Sequence, residues 1–174
     1  MPENNLLYLM YKQLATERLF IRPIQLADAN FIIALVNTEG WLKFIGDRNI
    51  HDQKDAEIYI QKILNNPQFY YSVFELKDNH LPIGIVTFLH REGYEHPDIG
   101  FALLPEYAGQ GYAFEASRKY LDEILKEKKW RKIVGITIPE NTASIKLLEK
   151  LGLIYVKNFI DEEEELSLYE LINV

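Results

Sequence analysis

The stretch Pro105-Glu106-Tyr107-Ala108-Gly109-Gln110-Gly111-Tyr112-Ala113-Phe114-Glu115-Ala116 decides how the rest of this chain is read. An apolar run, Ile99 to Leu104, leads into it. Apolar residues at helical spacing follow it: Ala113, Ala116, Tyr120, Leu121, Ile124 and Leu125. Two glycines therefore stand where a strand hands over to a helix. Free backbone N–H groups and the positive end of a helix dipole meet at such a junction, and together they hold phosphate. The spacing lacks one glycine of the dinucleotide fingerprint, and no Gly-Lys-Ser/Thr follows as it would in a Walker loop. A phosphate-bearing cofactor of another kind is the expected ligand. A nucleotide-binding protein is the weaker reading, because no base- or ribose-recognition signature accompanies the loop.

Outward from this junction, composition sets the bounds. At 174 residues one domain is the default, and 48% hydrophobic content supplies a substantial core. The net charge of −7 argues against a nucleic-acid partner and requires that any anionic ligand be held by local fields. Cysteine is absent, which excludes disulfides, thiolate metal sites and a cysteine nucleophile and fits a reducing cytoplasm, the expected compartment. The four histidines (His51, His80, His90, His96) show no paired ligand spacing, so no metal is expected. No apolar run approaches the roughly 20 residues of a membrane span. The segment Leu6-Leu7-Tyr8-Leu9-Met10-Tyr11 is too short for a signal peptide's apolar region and follows the acidic Glu3. Residues 1–12 are read as an N-terminal extension and 13–174 as a single domain.

Strands are expected at Arg18–Arg22, Phe69–Leu76, Ile83–Leu89, Ile99–Leu104, Ile133–Ile138, Leu153–Phe159 and Leu166–Ile172. Two of these pairs read as hairpins, one around Lys77–His80 and one around the solvated acidic run Asp161–Glu165. Asp28 and Asp52 stand where helix N-caps belong, and Asn141 opens a short helix that ends before Gly152. The order β-α-α-β-β-β-α-β-α-β-β implies a mixed α/β (α+β) sheet with helices on both faces.

Four segments in this order carry a resemblance. They are Thr16-Glu17-Arg18-Leu19-Phe20-Ile21-Arg22-Pro23, Trp41-Leu42-Lys43-Phe44-Ile45-Gly46-Asp47-Arg48, Asp98-Ile99-Gly100-Phe101 through Ala116, and Asn141-Thr142-Ala143-Ser144-Ile145-Lys146-Leu147-Leu148-Glu149-Lys150-Leu151-Gly152. Together they resemble the GNAT superfamily of N-acetyltransferases, in its ribosomal-protein N-terminal acetyltransferase-like branch. The resemblance covers nearly the whole chain. It implies a mostly antiparallel sheet of about seven strands with splayed fourth and fifth strands. It further implies transfer of an acetyl group from acetyl-CoA to a primary amine, a protein N-terminus or a small molecule, by direct attack in a ternary complex. A monomer or homodimer is expected, with no nucleic-acid or membrane partner.

By the same resemblance, Gly109, Gln110, Gly111, Tyr112, Ala113 and Phe114 wrap the pyrophosphate of coenzyme A. Phe101, Ala102 and Leu103 lie beside the pantetheine arm, and Asn141 and Ser144 also meet the cofactor. Ser144 stands near the cofactor's sulfur, where its hydroxyl can serve the departing thiolate. Ala108 replaces a polar residue common in the family loop. Leu148 stands where many relatives carry a tyrosine acid, and Ile136 where others carry a glutamate. Asp98 is the first candidate for general base, ahead of His96 and Glu115, with Tyr94, Tyr107 and Tyr112 as candidate acids. Trp41, Phe44 and Arg48 are candidates to shape the acceptor pocket. Those two empty positions also keep open a second reading, a non-catalytic acyl-CoA-binding module on the same fold.

Overall fold

The computed structural model describes residues 12–173. The expected extension over residues 1–12 lies, apart from Lys12, outside the described residues. Eight strands form one sheet in the order β1-β2-β3-β4-β5-β6-β8-β7. They are β1 (Leu14–Ala15), β2 (Leu19–Pro23), β3 (Phe69–Leu76), β4 (Pro82–Leu89), β5 (Asp98–Leu103), β6 (Lys132–Thr137), β7 (Ile154–Asp161) and β8 (Glu164–Ile172). All neighbours run antiparallel except β5 and β6, which are parallel. The strand beyond the expected seven is β1, two residues too short to show any alternation, and it pairs Leu14 with Ile21 on β2. The splayed pair is the expected one, now β5 and β6.

Two apolar layers cover the sheet. Helices α1 (Ala29–Val36), α2 (Glu39–Phe44) and α3 (Gln53–Leu64) pack on one face, where Ile32, Trp41 and Ile60 meet Val73 and Ile85. Helices α4 (Tyr112–Lys126) and α5 (Thr142–Lys150) cover the other, where Tyr120, Leu121 and Leu148 meet Phe74, Phe88, Ile99 and Ile133. Helix starts follow side-chain capping: Thr38 accepts from the Trp41 N–H, Asp52 from Asp55 and Asn141 from Ser144.

Asp28 departs from its expected role. It precedes α1, but its carboxylate makes no cap to that helix. Both oxygens instead take the Arg22 guanidinium at 2.8 and 2.9 Å, and one also accepts the Gln25 N–H. Arg22 reaches Glu75 on β3 as well, at 2.9 Å. The two buried carboxylates hold the Arg22 pKa above its ordinary value, the hydrogen bond that Arg22 donates to Asp28 contributing most. Two buried carboxylates left without this half-buried cation would be strongly destabilising, so this pairing outcompetes the cap. The last hairpin also differs in detail. Its turn is only Glu162-Glu163, both in the left-handed region at φ 46 and 70, which matches the twist of a two-residue hairpin.

Candidate active site

β5 and β6 are joined only at their starts, where Asp98 pairs with Val134 and the Val134 N–H donates to Pro97. Beyond that point the strands separate, β6 pairing onward with β8 and β5 with β4. One ladder edge of β5 is therefore free over Gly100–Leu103. The central strand of an eight-stranded sheet is ordinarily buried on both faces, yet Gly100 through Leu104 are all half-buried. Both parallel strands run toward the same end of the sheet, and both following helices, α4 and α5, begin there. Two helix N-termini thus flank the opening.

At the start of α4 the donors are bare. Gly111 is the N-cap, with φ +83 and no side-chain cap, and the first backbone bond of the helix is Glu115 N–H to Gly111. Among the described residues, the N–H groups of Gly109, Gln110 and Gly111 have no partner. Those of Tyr112, Ala113 and Phe114 are the orphan donors of any helix start. A side chain at 109 or 111 would sit on left-handed backbone, φ +74 or +83, which explains glycine at both.

A clamp fixes this loop. Glu115, in the first turn, accepts hydrogen bonds from the Thr16 hydroxyl, the Arg18 N–H at 2.9 Å and the Arg18 guanidinium at 2.7 Å. The same guanidinium donates to the Gln110 carbonyl at 3.0 Å and lies 4.2 Å from the Tyr112 ring centre. Burial pushes the Glu115 pKa up, but the hydrogen bonds from Thr16 and Arg18 outweigh it and hold the pKa below the ordinary value. Glu115 is thereby committed to structure, and a carboxylate so held is a poor base.

The other face of β5 presents polar groups beneath α3. Cross-strand register puts Tyr71 on β3, Thr87 on β4 and Gly100 on β5 in one row. A Cβ on Gly100 would stand 2.6 Å from the Thr87 hydroxyl, so only glycine leaves room beside it. Tyr71 shares a hydrogen bond with Tyr59 of α3, and burial first, then Tyr59, raises its pKa. Arg48 and Arg91 act on the same hydroxyl in the opposite direction. Asp98 lies one step along β5 on this face and is only 4% exposed. Arg91 grips it, Nε to Oδ1 at 2.9 Å and the terminal nitrogen to Oδ2 at 3.3 Å. Desolvation raises the Asp98 pKa above the ordinary aspartate value despite the opposing effect of Arg91.

Asn141 and Ser144 open α5 beside the β6 end of the gap, the Ser144 N–H donating to the Asn141 side chain at 3.1 Å. Among the described residues the Ser144 hydroxyl has no hydrogen-bond partner, and the residue is half-exposed. Leu148 is 2% exposed and lies over Gly135 of β6, so the position some relatives fill with a tyrosine is here closed by aliphatic packing. Tyr94 is turned away to Asp161 on the last hairpin, and burial, then this bond, pushes its pKa up to about 12. His96 faces Glu95 at 3.7 Å. Tyr107 and Tyr112 pack edge to face at the cofactor loop, 6.4 Å between ring centres. Among the described residues no cluster of three His, Cys, Asp or Glu could hold a metal, and no helix is long and apolar enough to cross a membrane.

Sequence reasoning did not anticipate the residues that surround Asp98 and Gly100. Arg91, Tyr59 and Tyr71 carry no local motif. The available signal was the alternation of β3, β4 and β5, which sends Tyr71, Thr87 and Gly100 to one face once the register is known.

A free parallel-strand edge between two helix N-termini, over a glycine loop with bare donors, suits an extended ligand that carries phosphate. The model of the acetyltransferase (GNAT) domain matches residues 18–154, and the chain belongs to that family of acetyl-CoA-dependent acyltransferases. It is 26% identical over 140 residues to the uncharacterized N-acetyltransferase YnaD of Bacillus subtilis, covering 80% of this chain and 81% of that one. Its fold matches a ribosomal-protein-S5-alanine acetyltransferase from Vibrio fischeri, with TM-score 0.73, 20% identity, and 93% and 97% of the two chains covered. It also matches a spermidine N-acetyltransferase from Vibrio cholerae solved with CoA and spermine, with TM-score 0.77, 18% identity, and 91% and 97% covered.

Proposed function

We propose that residues 13–174 act as one N-acetyltransferase domain that moves the acetyl group of acetyl-CoA to a primary amine in a ternary complex, in the cytoplasm. The observation that carries this is the set of unpartnered N–H groups from Gly109 to Phe114 at the start of a 15-residue helix. Donors of this kind suit a pyrophosphate, and the dipole adds roughly half a positive charge. The free edge of β5 at Phe101, Ala102 and Leu103 suits the pantetheine amides, which would extend the sheet like a short strand. Asn141 and Ser144 complete the cofactor side from α5. Acetyl-CoA supplies an activated acyl group; the protein has to hold the amine, remove its proton and protect the leaving sulfur.

For the proton, Asp98 is the proposed base. Its raised pKa brings it toward the range where it can accept a proton at neutral pH, and it stands at the apex of the gap. Because Arg91 occupies both oxygens, a water relay fits better than direct contact. Ser144 is the proposed donor to the departing thiolate, with its hydroxyl free to turn. Positioning two reactants in one cleft supplies several kcal/mol without a covalent enzyme intermediate. Acceptors named for the structural relatives, a ribosomal protein and spermidine, frame the two classes to try: N-terminal peptides and small amines.

The test is thiol release from acetyl-CoA across a panel of amines and N-terminal peptides, with Asp98→Asn and Ser144→Ala alongside. Each variant should lower turnover about 100-fold or more while leaving acetyl-CoA affinity within about twofold. Saturable acetyl-CoA binding with no turnover of any acceptor would instead favour a binding module. That reading draws on the aliphatic Leu148 and Ile136 at positions where relatives carry acids or bases.

A further inference from the structure

The loop between β4 and β5, residues 90–97, carries Arg91, whose guanidinium grips Asp98. Backbone fixes the ends of this loop: the His90 N–H donates to the Gln68 carbonyl and the Val134 N–H to the Pro97 carbonyl, each at 3.0 Å. A side chain fixes its middle. Tyr94 reaches across to the last hairpin, donating its hydroxyl to Asp161 Oδ2 at 2.5 Å. Its ring packs edge to face on Phe159 of β7, 6.5 Å between centres. The Tyr94 N–H in turn donates to the Arg91 carbonyl at 3.2 Å and closes the turn over 91–94. The residue that crosses to the hairpin therefore also sets the backbone from which the Arg91 side chain departs.

Arg91 needs such a setting. Its side chain is 46% exposed, and a long arginine regains rotamer freedom once it turns to water. Competing carboxylates stand on the same loop: Glu92 and Glu95 are both exposed, Glu95 lying 3.7 Å from His96. Glu162 and Glu163 follow Asp161 on the hairpin and are exposed as well. Asp98 is buried at the start of β5 and cannot follow the guanidinium outward. A planar fork meets both oxygens of a carboxylate only from a narrow range of directions, so the grip depends on where the turn places Arg91. We propose that Tyr94 and Asp161 form a latch that positions Arg91 on Asp98, which makes Tyr94 a positioning residue for the proposed base. This rests on the acetyltransferase reading above, with Asp98 as its base, and goes beyond it in giving the last hairpin a part in the reaction.

The readout is the acid limb of the kcat/KM profile, measured by thiol release with the amine of the panel that wild type turns over fastest. Tyr94→Phe keeps the ring on Phe159 and removes only the hydroxyl. Its limb should move about 0.5–1 pH unit higher, part of the effect of losing an opposite charge beside a carboxylate. At a fixed pH on that limb the rate then falls about three- to tenfold. Asp161→Ala should move the limb the same way. That sign is diagnostic, because removing a carboxylate by field alone would lower the Asp98 pKa and shift the limb to lower pH. Asp161→Asn keeps an acceptor for the hydroxyl and should retain most of the wild-type position. The Tyr94→Phe/Asp161→Ala double variant should shift no further than either single one, and neither change should shift the limb once Arg91→Met has removed the grip. A merely structural contact would lower Tm and leave the limb in place. An unmoved limb in Tyr94→Phe, a shift to lower pH in Asp161→Ala, or shifts that add to that of Arg91→Met would overturn the latch. If Asp98→Asn keeps the wild-type limb, the base assignment fails and the latch with it; if no amine reacts, the acetyltransferase reading itself fails.

Discussion

Gly111→Ala tests whether the glycine loop is a ligand cradle or merely a turn. Gly111 is held at φ +83, where an L-residue loses about 1–2 kcal/mol to contact between its Cβ and the backbone. The added methyl would also approach the Arg18 guanidinium at 3.5 Å, which is ordinary contact, so backbone strain is the main cost. For a chain of this length, about 1 kcal/mol corresponds to roughly 2–4 °C in Tm. The variant should therefore melt about 2–8 °C lower. Relief of the strain would rotate the peptide units whose N–H groups face the opening, and losing one hydrogen bond to a charged phosphate costs about 1.5–3 kcal/mol. Acetyl-CoA Kd, measured by calorimetry, should rise about ten- to a hundredfold. Gly93 provides the control. It has the same φ of +83, an added Cβ there meets nothing within 4 Å, and it lies in the β4–β5 loop. Gly93→Ala should lose similar stability with unchanged Kd. If Gly111→Ala melts lower yet binds acetyl-CoA as tightly as wild type, the cradle assignment is wrong.

Glu115→Gln should lower Tm at neutral pH by unfastening the loop from Arg18. The Glu115 pKa is depressed in the fold, so its contribution is present above the ordinary glutamate range and lost as pH falls through the depressed value. The Tm gap between wild type and variant should then narrow in acid; a gap constant with pH would deny the ionised clamp. Arg91→Met removes the cation opposing the desolvation of Asp98, so the acid limb of the kcat/KM profile should move to higher pH. A limb that stays in place would remove Asp98 as the titrating base. The raised Asp98 pKa also means that its contribution to stability is full below the ordinary aspartate value and lost as pH rises through the raised one. Arg91→Met should therefore destabilise more at neutral pH than in acid. Gly84→Ala would drive a methyl into the Phe74 ring and the Ala102 carbonyl, costing about 1–3 kcal/mol in urea unfolding; an unchanged midpoint would contradict the packing of β3 on β4.

The proposed cofactor half of the site could be read from sequence because its parts are local. Gly109, Gly111 and the helix behind them are contiguous, Asn141 and Ser144 lie within one helix turn, and the donors proposed to bind there are backbone groups whose geometry glycine and capping residues announce. The surroundings of Asp98 on the opposite face of β5 could not, because they come together only through register. Tyr71, Thr87 and Gly100 come from three strands, Tyr59 from a helix and Arg91 from a loop. Asp28 shows the same limit in the fold. Its sequence position marks a helix start, but the deciding partner is Arg22, which Glu75 on β3 also engages. The Glu162-Glu163 turn carries no glycine to betray its left-handed backbone, so only the strand lengths around it could be read.

This division has a physical root. An acidic protein of net charge −7 can hold a polyanionic donor without a basic patch, because helix starts and a free strand edge supply oriented dipoles that side chains need not encode. Arg18, the arginine nearest the loop, is neutralised by Glu115 and serves geometry rather than field. In the reading proposed above, recognition of the acceptor falls instead to individual side chains on the opposite face of β5, where Tyr71 and Thr87 stand beside Gly100 and Asp98 lies one step along the strand.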